Sequence, residues 1–523
     1  MWLPWVMNLP KALPNSACRQ QCGIMVGLLR FAAFRTKEYF LGQNTKLIEH
    51  NESALTWRFL LLLLLSYVVA YGGMLLEPNS IFWDDWILLP VDSQDILDRY
   101  RQAGAFLNFS AYLHIALLSA GPWFYKVTTF VLIFLTAVLL DGILRKHSCF
   151  SGRTRFLILL FYLTTPLYAA RITLIVAPYT IAWFCFVLGW WLVGRQRLLS
   201  LLMFALSFNT QSMLVFYAVP IAEWYFRDNS SITPRNVTAW AVRRLDYFVL
   251  PFIWFVIKIR FFKPFGHYEG YNSHYSLANL LKTPIDQIGD LFSQSLNPPL
   301  FLLFFPVVAI FFKQQHTLFV GNTFARQMVI AGFLALLAGL FPYWILGLEP
   351  SFDGWSSRHQ LLMPLGVALM VVGFLTSLPS RWAPWVASLL LAVNLAKTTE
   401  TAWDFWKDSR KQTQIMAFLG ESREIESADL IIFNDKTPNA LSRRYRFYEW
   451  NGMMRVVFDD QSRFGVNAER LAHYETGRYD AFFQSMYNAG QHNRTGGNTV
   501  VSVTIRQGPE GLVFETMSGK PGN

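Results

Sequence analysis

The sequence predicts a polytopic α-helical membrane protein with a small soluble α/β domain at its C-terminus. Apolar residues make up 53% of the 523 residues, whereas charged residues make up only 15%. A soluble domain carries about 25% charged residues, so this chain has too little charge for a soluble surface of its size. Apolar runs of spanning length recur along the chain, and we expect about eleven membrane segments within residues 57–396.

The basic residues indicate how the chain is oriented. The net charge is +11, and most Lys and Arg residues lie in short loops between apolar runs. This pattern is typical of cytoplasmic loops and argues against nucleic-acid binding. Residues 1–56 are basic and amphipathic, which predicts a cytoplasmic segment on the membrane surface. The parity of the runs then places the C-terminus outside.

The first apolar run, Trp57 to Leu76, leads into a long outer loop, 77–121, that opens with Trp83-Asp84-Asp85-Trp86. Tryptophans at this position are typical of an aromatic belt at the headgroups. The paired acids need another reason, because ionisable groups beside the hydrocarbon are costly and usually functional. His114 lies in an amphipathic piece of the same loop.

The later spans follow the same logic. The run from Phe156 to Gly194 predicts two spans joined by an outer turn that contains Arg171. The run from Leu198 to Phe226 is too short for two full spans, and we expect a hairpin with a polar tip at residues 209–212. A second outer loop covers 263–297, and a further outer turn carries Arg358 and His359.

Residues 397–523 have the composition of a soluble α/β domain outside the membrane. We predict a strand at 430–433, a helix at 439–450, a second strand at 454–458 and a hairpin within 500–515. The four cysteines all precede residue 397, so no disulfide framework is expected in this domain.

The predicted outer face gathers ionisable residues that suit a lipid-phosphate substrate. Carboxylates act as a general base or hold a divalent cation, and arginine binds phosphate through two parallel hydrogen bonds. Each cation also has a structural explanation, such as Arg358 reaching the headgroups from a helix end. The predicted acids are Asp84 and Asp85, and the predicted phosphate-binding residues are His114, Arg171, Arg358 and His359.

This layout resembles the GT-C superfamily of integral-membrane glycosyltransferases. In that family one span precedes an acidic motif in a long first outer loop, and the sugar donor is a polyprenyl-phosphate or polyprenyl-diphosphate lipid. The resemblance implies that Asp84 or Asp85 is the catalytic base, with or without a divalent cation such as Mg²⁺ or Mn²⁺. No WWD-type motif occurs in residues 397–523, so transfer to a peptide sequon is not expected.

Three functions follow from these observations. The first is an inverting glycosyltransferase that moves a sugar to a glycan, lipid or protein of the cell envelope, at the outer face of a bacterial inner membrane. The second is a lipid-linked glycan polymerase or ligase that relies on Arg358 and His359. The third is a lipid-glycan transporter or flippase, which would need charged residues along the interior of its spans.

Overall fold

The computed structural model is mostly helical, with one small β-sheet near the C-terminus. It describes residues 56–519 except 90–91, 230–231, 271–274, 294–296, 320–323, 349–350, 352–353, 442, 460–462 and 472–498. The predicted basic N-terminal segment therefore lies outside the described residues, apart from Thr56. One large apolar core fills the helical bundle, and smaller cores fill the C-terminal domain.

Helices account for most of the described residues, and their bounds are as follows. The first twelve are α1 (Trp57–Tyr71), α2 (Asp85–Leu88), α3 (Ser93–Gln102), α4 (Phe109–Ser119), α5 (Pro122–Leu144), α6 (Gly152–Thr164), α7 (Ala177–Leu192), α8 (Arg197–Ser207), α9 (Ser212–Phe216), α10 (Ala218–Asp228), α11 (Pro234–Val242) and α12 (Leu245–Phe261). The remaining seven are α13 (Asn279–Ser293), α14 (Pro298–Gln314), α15 (Ala325–Trp344), α16 (Met363–Ser377), α17 (Ala383–Glu421), α18 (Arg423–Glu426) and α19 (Phe447–Phe458).

Four helical segments are long and apolar enough to cross a membrane, judged by length and composition. They are Trp57–Leu75, Pro122–Leu144, Leu174–Leu192 and Ala325–Trp344. The expected number of about eleven is therefore not reached among the described residues. Several predicted spans form shorter helices: α14 has 17 residues and α16 has 15. At 1.5 Å per residue these are about 25 Å or less, whereas the hydrocarbon core is about 30 Å thick.

The two ends of the bundle differ in their polar contacts. At one end Arg197, at the start of α8, pairs with Asp246 of α12 at 2.6 Å. Glu223, near the end of α10, accepts a hydrogen bond from the indole of Trp190 there. The chain from the start of α8 to the end of α10 thus returns to the end of the bundle from which it started, as the predicted hairpin requires. We call this the Arg197 end, and the opposite end, which carries the Trp83–Trp86 turn, the Asp84 end.

The C-terminal sheet has the strand order β2-β1-β3-β4. Strand β1 is parallel to β2 and β3, and β3 forms an antiparallel hairpin with β4. The strands are β1 (Leu430–Asp435), β2 (Phe464–Asn467), β3 (Val500–Gln507) and β4 (Leu512–Ser518). The predicted strand at 430–433 and the predicted hairpin are therefore confirmed.

The predicted strand at 454–458 is wrong, because these residues belong to helix α19. The apolar run that ends in Val456, Val457 and Phe458 looked like a strand. The buried residues, however, include Trp450, Met453 and Met454, which recur at helical spacing. The predicted helix at 439–450 correspondingly begins later, at Phe447.

Helix α17 joins the bundle to the C-terminal domain without a break. It has 39 residues, which corresponds to a length of about 58 Å. It packs on α14 in the bundle and on α19 and β4 of the C-terminal domain. Most of its buried apolar residues up to Phe405 belong to the core of the bundle, whereas Ile415 and Leu419 belong to a core of the C-terminal domain. The change in composition at residue 397 therefore falls inside a continuous helix.

Candidate functional site

The Trp83–Trp86 turn lies where the helical bundle meets the C-terminal domain. The ring of Trp83 packs edge-on against Trp355 and Phe405, with centroid distances of 5.8 and 5.4 Å. Trp86 belongs to the apolar core of the C-terminal domain and lies against the backbone of Gly452. Both tryptophans are 1% exposed. They are core anchors rather than members of an aromatic belt, and they hold the two acids between two cores.

Trp83 adopts a backbone conformation that bulky residues rarely take. Its φ angle is 51°, in the left-handed region. Such a residue costs about 1–3 kcal/mol, and such costs are concentrated at functional sites. The surrounding packing overrides this cost, since the Trp83 ring is buried against Trp355 and Phe405. The carboxylates that follow bind to different parts of the molecule.

Asp84 remains partly exposed and faces the C-terminal domain. Its Oδ1 accepts a hydrogen bond from the Tyr448 hydroxyl at 2.6 Å. Arg443 donates to that hydroxyl at 3.2 Å and to the buried Glu449 carboxylate at 2.5 Å. A hydrogen bond to an ionised carboxylate is short and strong. Asp84 is thus an accessible acid whose orientation depends on α19.

Asp85 is only 1% exposed, and its contacts are with the helical bundle. Its two oxygens accept hydrogen bonds from the backbone N–H groups of Leu174 at 2.7 Å and Ile175 at 2.9 Å. The Tyr125 hydroxyl donates a third hydrogen bond at 3.2 Å. These backbone groups open the Leu174–Leu192 helix, so Asp85 acts as a cap for its unpaired donors. Burial raises the pKa of Asp85 to about 7, although the two N–H groups and Lys126 oppose this shift.

Lys126 is a site residue that the sequence did not single out. It lies near the start of α5, and its Nζ donates to the Glu77 carbonyl at 3.0 Å and to both the carbonyl and the hydroxyl of Ser80 at 2.6 Å. The ammonium group also lies 5.2 Å from the ring centroid of Phe82. Lys126 thus fixes the segment that leads into the Trp83–Trp86 turn. A lysine within an apolar run was the available signal.

His114 is fully buried, and its contacts are structural. Its Nε2 lies 2.9 Å from the Leu174 carbonyl, so His114 and Asp85 hold the same residue from its two backbone groups. Burial lowers the pKa of His114 to about 4, which keeps the imidazole neutral. A neutral, buried ring supplies no positive charge to a phosphate. These contacts do not support the predicted role of His114 in phosphate binding.

Arg171 lies in a short turn, Ala169–Ile172, and is 6% exposed. Its guanidinium carbon is 3.8 Å from the ring centroid of Tyr71 and 5.2 Å from that of Tyr168. Its Nε donates to the Tyr168 carbonyl at 2.6 Å. Among the described residues no acidic side chain forms an ion pair with it. Aromatic faces therefore stabilise the cation without neutralising it.

Arg358 and His359 belong to the turn Trp355–Gln360. The Arg358 guanidinium lies 4.3 Å from the Trp355 ring centroid and donates to the Trp355 carbonyl at 2.9 Å. His359 packs against Tyr343, with ring centroids 4.9 Å apart. The side chain of Arg358 is partly exposed, whereas His359 is buried.

The structure brings the two arginine turns together beside the acids. The Ser357 hydroxyl accepts a hydrogen bond from the backbone N–H of Ala170 at 2.8 Å, so the turn that carries Arg358 is bound to the turn that carries Arg171. Trp355 packs against Trp83, next to Asp84. A partly exposed acid and two cations therefore lie at the same end of the bundle. Asp85 and His114 hold the neighbouring backbone in place through their hydrogen bonds to Leu174.

The described donors do not fit a divalent cation held by Asp84 and Asp85 together. Both oxygens of Asp85 are occupied by backbone N–H groups, and its burial leaves no open side. Among residues 56–519, outside the gaps given above, no group of three or more His, Cys, Asp or Glu side chains is arranged to hold a metal ion. A hard cation normally takes six or more oxygen ligands, including several from the protein or substrate.

Comparison of the chain with protein-family models and with curated proteins found no match.

Proposed function

We propose that the protein is an inverting membrane glycosyltransferase with Asp84 as its general base. The proposal rests on the different environments of the two acids in Trp83–Trp86. Asp85 is buried as a helix cap, while Asp84 is partly exposed beside the turns of Arg171 and Arg358. The donor would be a sugar on a polyprenyl phosphate, and the acceptor a glycan, lipid or protein of the cell envelope.

In this proposal the Asp84 end and the C-terminal domain face the periplasm of a bacterial cell, and the Arg197 end faces the cytosol. Basic residues are enriched in cytoplasmic loops, and the Arg197 end carries Arg145, Arg155 and Arg244. Short apolar helices such as α14 and α16 would lie within the bilayer as partly spanning segments, covered by their neighbours. With these segments counted, the chain would have about eleven membrane segments.

The proposed reaction is a single displacement at the anomeric carbon. Asp84 takes the proton of an acceptor hydroxyl, and the oxygen attacks the anomeric carbon from the face opposite the phosphate. The new carbon–oxygen bond forms as the bond to the phosphate oxygen breaks, and that oxygen leaves with the electron pair. The products are the glycosylated acceptor, with inverted configuration, and the polyprenyl phosphate.

The two arginines would stabilise the departing phosphate. Charge develops on the leaving oxygen, and fixed cations in a site with little water stabilise it strongly. Arg358 is the more accessible of the two, since Arg171 is buried in its aromatic surroundings. We therefore assign Arg358 to direct phosphate contact and Arg171 to the local positive potential.

The C-terminal domain would position both the base and the acceptor. Tyr448 places a hydroxyl 2.6 Å from Asp84, which is the distance expected for an acceptor hydroxyl about to lose its proton. The acceptor hydroxyl would therefore replace that of Tyr448 at the carboxylate. This exchange links acceptor binding to a movement of the Tyr448 side chain.

The decisive test is transfer from a polyprenyl-phosphate-linked sugar by purified full-length protein in detergent. We expect Asp84→Asn to reduce the rate by about 10²–10⁴-fold, the usual contribution of a general base. Asp95→Asn, which removes another acid of the first outer loop, should keep the wild-type rate. Wild-type turnover by Asp84→Asn would rule out the proposed base.

A chelator added to the same assay tests the divalent cation. No step of the proposed reaction uses a metal, and we expect EDTA to leave the rate unchanged. Loss of activity that is restored by Mg²⁺ or Mn²⁺ would instead show that Asp84 acts with a metal ion whose other ligands come from the substrate.

The polymerase or ligase alternative rests on the adjacent Arg358 and His359. It is favoured if Arg358→Ala and His359→Ala abolish activity while Asp84→Asn does not. The transporter alternative has less support, because the buried lysine and aspartate of α5 lie near its two ends. Lys126 is bound to Ser80, and Asp141 is paired with Arg155 at 2.8 Å.

A further inference from the structure

A cleft separate from the candidate site lies between the first outer loop and the C-terminal end of α12. Its volume is about 890 Å³, within the range of about 300–1,000 Å³ that is typical of ligand sites. None of the six predicted site residues lines it. The lining residues are Asp98, Arg101, Gln102, Ala105, Leu107, Asn108, Tyr112, Arg260, Phe261, Phe262, Lys263 and Phe265.

The two walls of this cleft are fixed to each other. The backbone N–H of Phe265 donates to the Gln102 carbonyl at 2.9 Å. Lys258 donates to the carbonyl of Gly104 and to that of Phe262. Gly104 has φ 69°, and a Cβ at this position would lie 2.5 Å from the Phe262 carbonyl oxygen. Only glycine permits this close approach, so the cleft is a defined feature of the fold.

The cleft is positively charged. Arg101, Arg260 and Lys263 are exposed at its surface. In the part of the chain that the structure describes, no carboxylate forms an ion pair with any of the three. Asp98 is the one acid among the lining residues, so three cations face one carboxylate and the net charge is +2. Guanidinium groups match the geometry of phosphate oxygens, so a phosphate fits this cleft.

An apolar surface continues from the cleft along α12. Leu107 and Phe261, both in the lining, are 64% and 72% exposed. Phe252, Ile253 and Val256 are also exposed further back on the same helix. Exposed apolar side chains that adjoin a cationic rim are typical of a surface that contacts the headgroup and the acyl chain of one lipid.

We propose that this cleft binds the phosphate headgroup of an anionic bilayer lipid, with an acyl chain along the exposed face of α12. Charge complementarity selects the headgroup, and the apolar surface of α12 selects an amphiphile over a soluble phosphate. The cleft would fix the first outer loop against the membrane surface. The proposal does not depend on the transfer reaction, because none of the lining residues has a role in it.

The test is the binding of fluorescently labelled phosphatidylglycerol to the full-length protein in neutral detergent. We expect the combined variant Arg101→Ala, Arg260→Ala, Lys263→Ala to weaken binding about 100-fold, since each cation near a membrane surface contributes about fivefold. Phosphatidylcholine, whose headgroup is neutral overall, should bind wild type weakly. Inorganic phosphate and glycerol 3-phosphate should not displace the labelled lipid.

Two further variants separate lost binding from lost folding and from lost net charge. Arg101→Lys with Arg260→Lys keeps the charge and should retain most of the affinity. Arg410→Ala, Lys436→Ala, Arg506→Ala removes three exposed cations elsewhere and should bind like wild type. Equal weakening by this control would overturn the proposal, and so would displacement by soluble phosphate as effectively as by lipid. Normal sugar transfer by the cleft variant would leave the Asp84 assignment intact.

Discussion

Asp84 and Asp85 are adjacent in the sequence but lie in opposite environments. Asp85 is buried, accepts two backbone hydrogen bonds and one from a tyrosine, and holds the start of the Leu174–Leu192 helix. Asp84 is partly exposed and accepts a hydrogen bond from Tyr448 of the C-terminal domain. The difference teaches that a pair of acids need not act as a pair. One acid builds the site, and the other is available for chemistry.

The tryptophans on either side continue this alternation. Trp83 and Asp85 bind to the bundle, whereas Asp84 and Trp86 bind to the C-terminal domain. Four consecutive residues thus join the two parts of the molecule, two from each side. Substitutions can disturb the contacts of the turn with the bundle or with the C-terminal domain, and four experiments test the contrast between them.

Removal of the Asp85 carboxylate should have the largest effect on stability. Asp85→Ala leaves two backbone N–H groups and the Tyr125 hydroxyl buried without acceptors, and each such group costs about 1–3 kcal/mol. We expect the free energy of unfolding in detergent to fall by about 4 kcal/mol in total. Asp84→Ala should lower it by only about 1.5 kcal/mol, the contribution of one hydrogen bond to a charged group, because solvent can then satisfy Tyr448. Equal losses for the two variants would contradict the assigned roles.

A methyl group at Gly452 should disturb the Trp86 side of the turn. The added Cβ would lie 2.7 Å from the Trp86 carbonyl oxygen and 2.8 Å from its Cβ. Overpacking of this kind costs about 2 kcal/mol, seen as a lower free energy of unfolding. Gly420→Ala is the matched control, since its nearest new contact is 3.5 Å away. That control should be neutral or stabilising by up to about 1 kcal/mol.

The hydrogen bond between Tyr448 and Asp84 should appear as a coupling energy. A double-mutant cycle of Tyr448→Phe and Asp84→Ala, followed by thermal unfolding, isolates the contact. We expect a coupling of about 1.5 kcal/mol, the lower end of the range for a bond to a charged group, because the site is partly exposed. Tyr125→Phe with Asp84→Ala provides a control pair without contact. A coupling near zero for the first pair would remove the proposed link between α19 and the base.

The smallest expected effect is a pH dependence of the free energy of unfolding that comes from Asp85. Aspartate in an unfolded chain has a pKa of about 3.9, whereas burial raises the pKa of Asp85 to about 7. Between these values the folded state holds a proton that the unfolded chain has released, so this contribution to stability is lost as the pH rises from about 4 to 7.

Asp85→Asn lacks this titration, so its destabilisation relative to wild type should be larger at pH 6.5 than at pH 8. A difference of about 1 kcal/mol is expected. The comparison needs unfolding curves of both proteins at both pH values. Burial also raises the pKa of Glu449 to about 7, but this residue is present in both proteins and its contribution cancels. The same destabilisation at both pH values would contradict the buried state of Asp85.

The sequence predicted the position of the site better than the roles within it. Alternating apolar and basic runs were enough to place Asp84, Arg171, Arg358 and the C-terminal domain at one end of the bundle, because loop parity follows from chain order. The burial of Asp85 was not predictable, since its partners Leu174 and Ile175 lie about 90 positions later. Tyr448 was missed for the same reason, as a tyrosine in a soluble domain carries no local signal.

Errors in the fold have a similar origin. Hydropathy counts apolar residues but not where a helix stops, so the run that begins at Phe156 looked like two full spans. The 13-residue helix α6 ends at Thr164, and two short 3-10 turns follow it before helix α7 begins at Ala177. The region at 454–458 was assigned to a strand because its valines favour strands, although tertiary packing of Trp450 and Met454 makes it helical.

Helix α17 imposes a rotational relation on the two parts of the molecule. Each residue of an α-helix turns the chain by about 100°, and no break separates the half of α17 in the helical bundle from the half that packs on the C-terminal domain. The direction in which Tyr448 points is therefore set by the number of residues between the bundle and Glu421. One inserted residue would swing the C-terminal domain by more than a quarter of a circle, while seven would return it close to its original angle about 10 Å further out. The number of residues in α17 thus determines the angle at which the C-terminal domain faces Asp84.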